Sequence, residues 1–198
     1  MRPDLELVAK LIQPNSRVLD LGCGAGDLLQ HLQLQKNVIG YGLDKDAGNI
    51  QLCLSRGVNV IEQDLDSGLG NFQDDAFDMV IMTDTIQAVH QPQLLLREML
   101  RVGRECVVTF PNFGHWRCRL NLAATGRMPV SKHLPHRWYD TPNIHLCTFN
   151  DFEALCAELK MAILQRRVVD QRHNEHSLIN LAPNLLGSYG FYHLGRTP

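Results

Sequence analysis

Val18-Leu19-Asp20-Leu21-Gly22-Cys23-Gly24-Ala25-Gly26-Asp27 is the stretch on which the reading of this 198-residue chain turns. An apolar strand over Arg17–Leu21 runs straight into three glycines spaced two apart, and helical periodicity resumes from about Gly26 to Leu34. In an open α/β sheet the carboxyl end of the first strand is where a ligand loop sits. Glycine lets backbone approach a ligand closely and take φ values that other residues resist. The helix N-terminus that follows offers free N–H groups and a positive dipole end. A glycine-rich turn also has a purely geometric reading, and the loop alone leaves both standing.

Working outward, short apolar strands alternate with amphipathic helices, the pattern of an α/β protein with a largely parallel sheet. A first helix is expected over Asp4–Ile12, ended by Pro14-Asn15, so that little precedes the first strand. Further strands are expected at Val38–Leu43, Val58–Ile61, Phe77–Thr83 and Cys106–Phe110, with helices near Ala47–Arg56 (closed by Gly57) and Pro92–Val102. Helical character returns at Asp151–Leu159, with Asn150 and Glu153 as a loose capping box. Ile163–Val169 and Phe191–Leu194 are the last two strand candidates. Asp44, about twenty residues beyond the loop, stands where an acid accepts both ribose hydroxyls of a nucleoside. Asp64-Leu65 follows the third strand, placed to meet an adenine edge, although either acid also reads as a turn or cap residue.

A dinucleotide fingerprint needs a small residue at its third position, where Asp27 stands. The loop instead resembles motif I of the class I S-adenosylmethionine-dependent methyltransferases, D-x-G-x-G-x-G, with Asp20, Gly22, Gly24 and Gly26 all present. That resemblance covers about residues 15–110. It implies a Rossmann-like fold with a mostly parallel seven-stranded sheet, helices on both faces, and S-adenosylmethionine or S-adenosylhomocysteine as ligand. The positions it assigns to the cofactor are Asp20, Gly22, Cys23, Gly24, Gly26, Asp44, Lys45, Asp64, Leu65 and Asp84. Within that set the loop backbone holds the methionine part, Asp20 orients its amino group, Asp44 holds the ribose, and Asp64 and Leu65 meet the adenine.

Composition narrows the class. Nineteen Lys+Arg against 21 Asp+Glu leave a net charge of −2, so there is no global basic field for nucleic acid. No apolar run approaches the length of a membrane span. The start, Met1-Arg2-Pro3-Asp4-Leu5-Glu6, lacks the profile of a signal peptide. Six cysteines without a C-x-x-C pair read as reduced thiols of a cytoplasmic protein. Without repeat or linker, residues 1–198 read as one domain.

Only residues 111–147 break the alternation. Their five Lys+Arg (Arg117, Arg119, Arg127, Lys132, Arg137) face one acid, Asp140, and they hold four histidines and both tryptophans, Trp116 and Trp138. An anionic substrate, an acidic partner surface, and a proline-braced excursion whose tryptophans anchor it to the core all fit this composition. Single-stranded nucleic acid is a lesser reading. Pro135 between His133 and His136 speaks against a helical metal pair, and no metal is expected.

Three runs in and around this segment are more specific than motif I. They are Phe110-Pro111-Asn112-Phe113-Gly114-His115-Trp116-Arg117, Gly126-Arg127-Met128-Pro129-Val130, and Trp138-Tyr139-Asp140-Thr141-Pro142-Asn143-Ile144-His145-Leu146-Cys147-Thr148. Together they resemble the MetW family, the methionine biosynthesis protein W, and the likeness extends from Leu5 through Ala182-Pro183-Asn184-Leu185-Leu186. Ala25 and Asp84 depart from the family pattern, which commonly has an acid and a glutamine there. The resemblance implies bacterial methionine biosynthesis and partnership with homoserine O-acyltransferase. Our own hypothesis is that such a fold binds S-adenosylmethionine as a signal in that pathway, the alternative being a self-sufficient methyltransferase acting on a small metabolite. For methyl transfer, the polar residues at the ends of the fourth and fifth strands are Asp84, Thr85, His90, Asn112 and His115, and no catalytic set stands out among them. With a single short helix before the first strand, cover for an acceptor is expected from residues 111–147 or from another protein.

Overall fold

Met79–Met82 and Cys106–Val108 are continuous apolar runs, and such strands are stable only with both faces covered. The computed structural model, which describes residues 3–131, 134–170 and 179–197, has them side by side in a seven-stranded sheet. Its strands are β1 (Arg17–Leu21), β2 (Ile39–Asp44), β3 (Asn59–Glu62), β4 (Phe77–Thr83), β5 (Gly103–Pro111), β6 (Met161–Val169) and β7 (Tyr189–Arg196). They lie in the order β3-β2-β1-β4-β5-β7-β6. β7 is antiparallel to both its neighbours, and the remaining pairings are parallel. The class I methyltransferase topology expected from the glycine turn is therefore present. Strand order reverses between β1 and β4, so the crevice for a ligand opens at their carboxyl ends.

Alternation along each strand splits the core. Val18, Met79, Ile81 and Val107 face the helices α1 (Pro3–Leu11), α2 (Asp27–Lys36) and α3 (Ala47–Ser55). Leu19, Val80, Met82 and Val108 face α4 (Pro92–Val102) and α6 (Phe149–Glu158). Helix α5 (Trp116–Thr125) and the short α7 (Pro183–Leu186) complete the helices of the described residues. Neither was expected. Several bounds also move by one to three residues, the largest shift being the earlier start of β5.

The N-terminal cap of α6 is a correction. Thr148, not Asn150, is the capping residue. Its backbone N–H donates to the Asp151 carboxylate at 2.9 Å, and its hydroxyl accepts from the Asp151 N–H at 3.3 Å. Glu153 is committed elsewhere, accepting from the Tyr192 hydroxyl and pairing with Arg166, each at 2.9 Å.

On the α6 side, Phe110 is fully buried. Its ring lies parallel to Tyr192 with centroids 5.6 Å apart and meets Phe152 at 4.8 Å and Phe149 at 5.8 Å. The cluster joins the end of β5 to β7 and α6. Truncating Phe110 to alanine removes the shared member and leaves a void, a change that costs about 3–5 kcal/mol. Denaturant unfolding of Phe110→Ala is expected to show that loss in the midpoint with little change in slope.

Candidate functional site

The loop after β1 is built by its neighbour. Backbone N–H groups of Gly22 and Cys23 both donate to the carbonyl of Leu43, at 2.8 and 3.0 Å. Gly22, Gly24 and Gly26 all take positive φ, at 73°, 55° and 77°. At Gly22 a side chain is excluded twice over, by that φ and because a Cβ would lie 2.6 Å from the Thr85 hydroxyl. Gly26 is the residue before α2, where a Cβ would press on the Cys53 sulfur at 3.0 Å. The departure at Ala25 is bridged by Arg56, which donates to the Ala25 carbonyl and to the Asp27 carboxylate at 2.7 Å.

Beside this loop lies a cavity of about 470 Å³, within the range of small-molecule sites. Seven of the ten positions assigned from sequence line it: Gly22, Gly24, Asp44, Lys45, Asp64, Leu65 and Asp84. The Asp44 carboxylate accepts from the Gly24 N–H at 2.8 Å and the Asp46 N–H at 2.9 Å, with the Asn49 amide at 3.4 Å. The Asn49 amide lies 3.4 Å from the second oxygen as well, and these two long contacts are the ones that a ligand hydroxyl would replace on a carboxylate with about four acceptor sites. Asp64 does what the bland reading allowed. It caps the 3-10 turn Leu65–Ser67 by accepting from the Asp66 N–H, and it pairs with the exposed Lys45 at 3.2 Å. Such a cap does not take it out of the cavity wall. Asp84 sits at the end of β4 with φ 57°, a left-handed conformation that Asp tolerates better than most side chains. Its carboxylate accepts from the buried Tyr189 hydroxyl, which also lies 3.0 Å from the Thr109 hydroxyl. Burial and the Asp84 charge push the Tyr189 phenol well above its ordinary pKa, so it stays a donor.

The other three positions support the site from behind. Gly26 starts α2. Cys23 turns its sulfur beneath the loop, 3.9 Å from that of Cys53 and against Gly42. Both thiols are free, and burial raises their pKa, so neither is a poised thiolate. Asp20 is 2% exposed, and its Oδ1 has no hydrogen-bond partner. Burial, and then the charge of Asp44, push its pKa up to about 7.

Not every wall of the cavity carries a local sequence signal. Asn49, Gln63 and Asp66 stand close to the acids already singled out, and Thr85, Ala88 and Val89 follow Asp84. Pro142 and Asn143 reach the site from the far end of the 111–147 segment. They are pinned there by Gln87, a buried residue whose backbone carbonyl accepts from the Ile144 and His145 N–H groups at 2.8 and 3.0 Å. The Gln87 side-chain amide donates to the Pro111 carbonyl at 3.2 Å.

Of the five polar candidates for an acceptor, Asp84 and Thr85 line the cavity. His90 is an exposed rim residue paired with Asp66 at 2.6 Å, a contact that holds the Asp66 carboxyl below its usual range. Asn112 is buried in backbone contacts, donating to the carbonyls of Asn184 and Gly187 at 3.0 and 2.8 Å. Buried His115 caps α5. The tryptophans do not anchor the excursion to the core, since Trp116 and Trp138 are 41% and 74% exposed. Past His115, the buried residues of the excursion among those described are Cys118, Pro129 and Leu134 instead. Lys132 and His133 lie outside the described residues. Among the described residues, no three His, Cys, Asp or Glu side chains cluster as a metal site, and no helix is long and apolar enough to cross a membrane.

The fold is that of S-adenosylmethionine-dependent methyltransferases. A methyltransferase of this class from Mesorhizobium loti superposes with a TM-score of 0.72 at 16% identity, over 98% of each chain. A Haemonchus contortus phosphoethanolamine N-methyltransferase 2, solved with phosphomonomethylethanolamine and S-adenosylhomocysteine, matches with a TM-score of 0.71 at 13% identity, over 98% of this chain and 52% of its own. At the level of sequence, residues 2–194 match the family model described as methionine biosynthesis protein MetW, and the chain belongs to that family. The bifunctional methionine biosynthesis protein MetXA/MetW of Rhodopirellula baltica is 37% identical over 169 residues, which cover 81% of this chain. The chain spans only 27% of that relative's length.

Asp20 makes stability depend on pH. Unfolded, it loses its proton near 3.8; folded, it holds the proton to about 7. Between those values the folded state binds more protons, so rising pH favours unfolding. Asp20→Asn removes that contribution. Thermal melts from pH 5 to pH 8 are expected to show the variant gaining on the wild type as pH rises; parallel curves would contradict the assignment.

Proposed function

We propose that this chain is a S-adenosylmethionine-binding subunit of cytoplasmic methionine biosynthesis that supports homoserine O-acyltransferase as an accessory partner. The observation that carries the partnership is the bifunctional MetXA/MetW relative, in which a stretch like this chain is part of one longer polypeptide. Covalent joining holds two modules at high effective concentration, and separate chains that act together must reach the same state by binding.

The residues of the cavity fit the cofactor. Behind the lining, Asp20 has a buried oxygen without a hydrogen-bond partner, and a cationic amino group that reached it would supply one. Around Gly24 a Cβ would meet nothing within 4 Å, which leaves that stretch of backbone open to a ligand. Asp44 has acceptor capacity for ribose hydroxyls, and Leu65 with Val89 supplies apolar contact for a purine. When bound, the cofactor's sulfonium supplies an activated methyl group, or the molecule serves as a signal of the pathway's downstream product.

One observation favours a second reading, methyl transfer to a small metabolite. Asp84 and Thr85 open into the same cavity, with Asp84 held in place by Tyr189. An in-line displacement needs the acceptor positioned and, for some acceptors, a base. Transfer of label from methyl-labelled cofactor to extract metabolites, with the acyltransferase supplied, separates the two readings.

Asp44→Ala is expected to weaken cofactor binding on the order of 10–100-fold, the worth of one or two charge-assisted hydrogen bonds. Calorimetric titration of cofactor reads this directly, and an unchanged Kd would overturn the cofactor assignment. Acyltransferase assays with and without the wild-type chain test the accessory role. Activity indifferent to the chain would end it.

A further inference from the structure

Exposed large apolar side chains concentrate in one stretch of the chain. Among the described residues, nine of the nineteen fall between Trp116 and Leu146, about a sixth of the chain, and both tryptophans are among them. Monomeric soluble surfaces seldom gather apolar side chains in this way without a partner. Helix α5 is the extreme case, because Cys118 alone of its ten residues is buried while Trp116, Leu120 and Leu122 face solvent.

The segment is folded back on itself. Phe113 N–H donates to the Cys147 carbonyl at 3.1 Å and ties its two ends together. Ser131 and Leu134 share a small cavity of about 20 Å³ with His115, Arg117 and Cys118, so the middle of the segment lies against the start of α5. Gln87, in the turn after β4, holds its far end through the backbone of Ile144 and His145 and itself donates to the Pro111 carbonyl of β5. A compact surface loop with joined ends is a common carrier of function.

Its charge is one-sided. From Asn112 to Tyr139 there is no Asp or Glu at all, although the whole chain carries 21 acids. Arg117 lies over the Trp116 ring at 5.3 Å, and Arg137 donates to the Tyr139 hydroxyl at 2.7 Å. Arginine beside exposed aromatic rings is the composition enriched in the energetic centre of protein interfaces.

We propose that the exposed surface of residues 116–131 and 134–146, which carries Trp116, Trp138 and Tyr139, is the docking face for homoserine O-acyltransferase, and that the acyltransferase meets it with an apolar patch rimmed by carboxylates. The proposal rests on the accessory reading above and deepens it by naming the face and the chemistry of its counterpart. The acyltransferase is chosen over other occupants because the bifunctional relative joins a MetW stretch in one polypeptide to MetXA, and MetX is the homoserine acyltransferase. A basic apolar face is complementary to an acidic protein surface and gives a salt-dependent approach.

The test is calorimetric titration of the chain with the homoserine O-acyltransferase of the same organism, at low and moderate salt. Two variants probe the face: Trp138→Ala combined with Tyr139→Ala, and Arg127→Glu combined with Arg137→Glu. All four side chains are exposed, and circular dichroism checks that the fold is kept. Leu34→Ala, exposed on α2 far from the segment in sequence, is the control. Expected are a loss of tenfold or more for the aromatic variant, a weaker salt dependence for the charge variant, and no change for Leu34→Ala. If the wild type binds and both face variants bind equally well, the face is overturned while the accessory reading stands. If the wild type does not bind, the accessory reading falls and takes the face with it. Self-association lost in the aromatic variant, or binding to phosphatidylglycerol vesicles lost in it while acyltransferase binding persists, would assign the face to a second copy or to a lipid surface and overturn the proposal.

Discussion

Two consecutive residues at the end of β2 hold the loop that leaves β1. The Leu43 carbonyl accepts from Gly22 and Cys23, and the Asp44 carboxylate accepts from Gly24. The parallel register between the strands, with Leu21 opposite Leu43, continues past β1 into a turn whose N–H groups would otherwise lose their partners. Asp44 is tied in its turn to the start of α3 by Asp46 and Asn49. Close packing completes the arrangement, for a Cβ on Gly42 would lie 2.4 Å from the Cys23 sulfur. Loop shape, ribose acceptor and helix start are thus one hydrogen-bonded unit, and the cavity inherits its geometry from strand pairing.

That unit was legible because its causes are local. Gly22-Cys23-Gly24-Ala25-Gly26 announces positive φ, and Asp44 closes a strand recognisable by its own pattern. β4 and α4 were legible to the residue, the first as a run buried on both faces, the second from Pro92 at its start and Gly103 beyond its end. Helix α5 escaped because periodicity reads the burial of one face, and with only Cys118 buried there is no face to read. Pro142 and Asn143 escaped for a different reason. Asn143 reaches the Gln87 side chain across 56 residues of sequence, and no local signal encodes that meeting. Exposure of the tryptophans is likewise a tertiary fact that composition leaves open.

Asp20 and the excursion share an energetic character. A buried carboxylate oxygen without a partner opposes folding, and a smaller neutral side chain at the end of β1 would relieve it. The same atom, already desolvated and fixed by the strand, asks little further ordering of a cationic ligand group. Pro142 and Asn143, which line the cavity, belong to a stretch that buried Gln87 holds through the Asn143 side chain and the Ile144 and His145 N–H groups, while Tyr139, Ile144 and Leu146 are exposed. One short stretch is therefore wall on its inner side and open apolar surface on its outer side. Linkage is reciprocal: whatever factor a partner docked on the outer side lends to ligand affinity, the ligand returns to the partner.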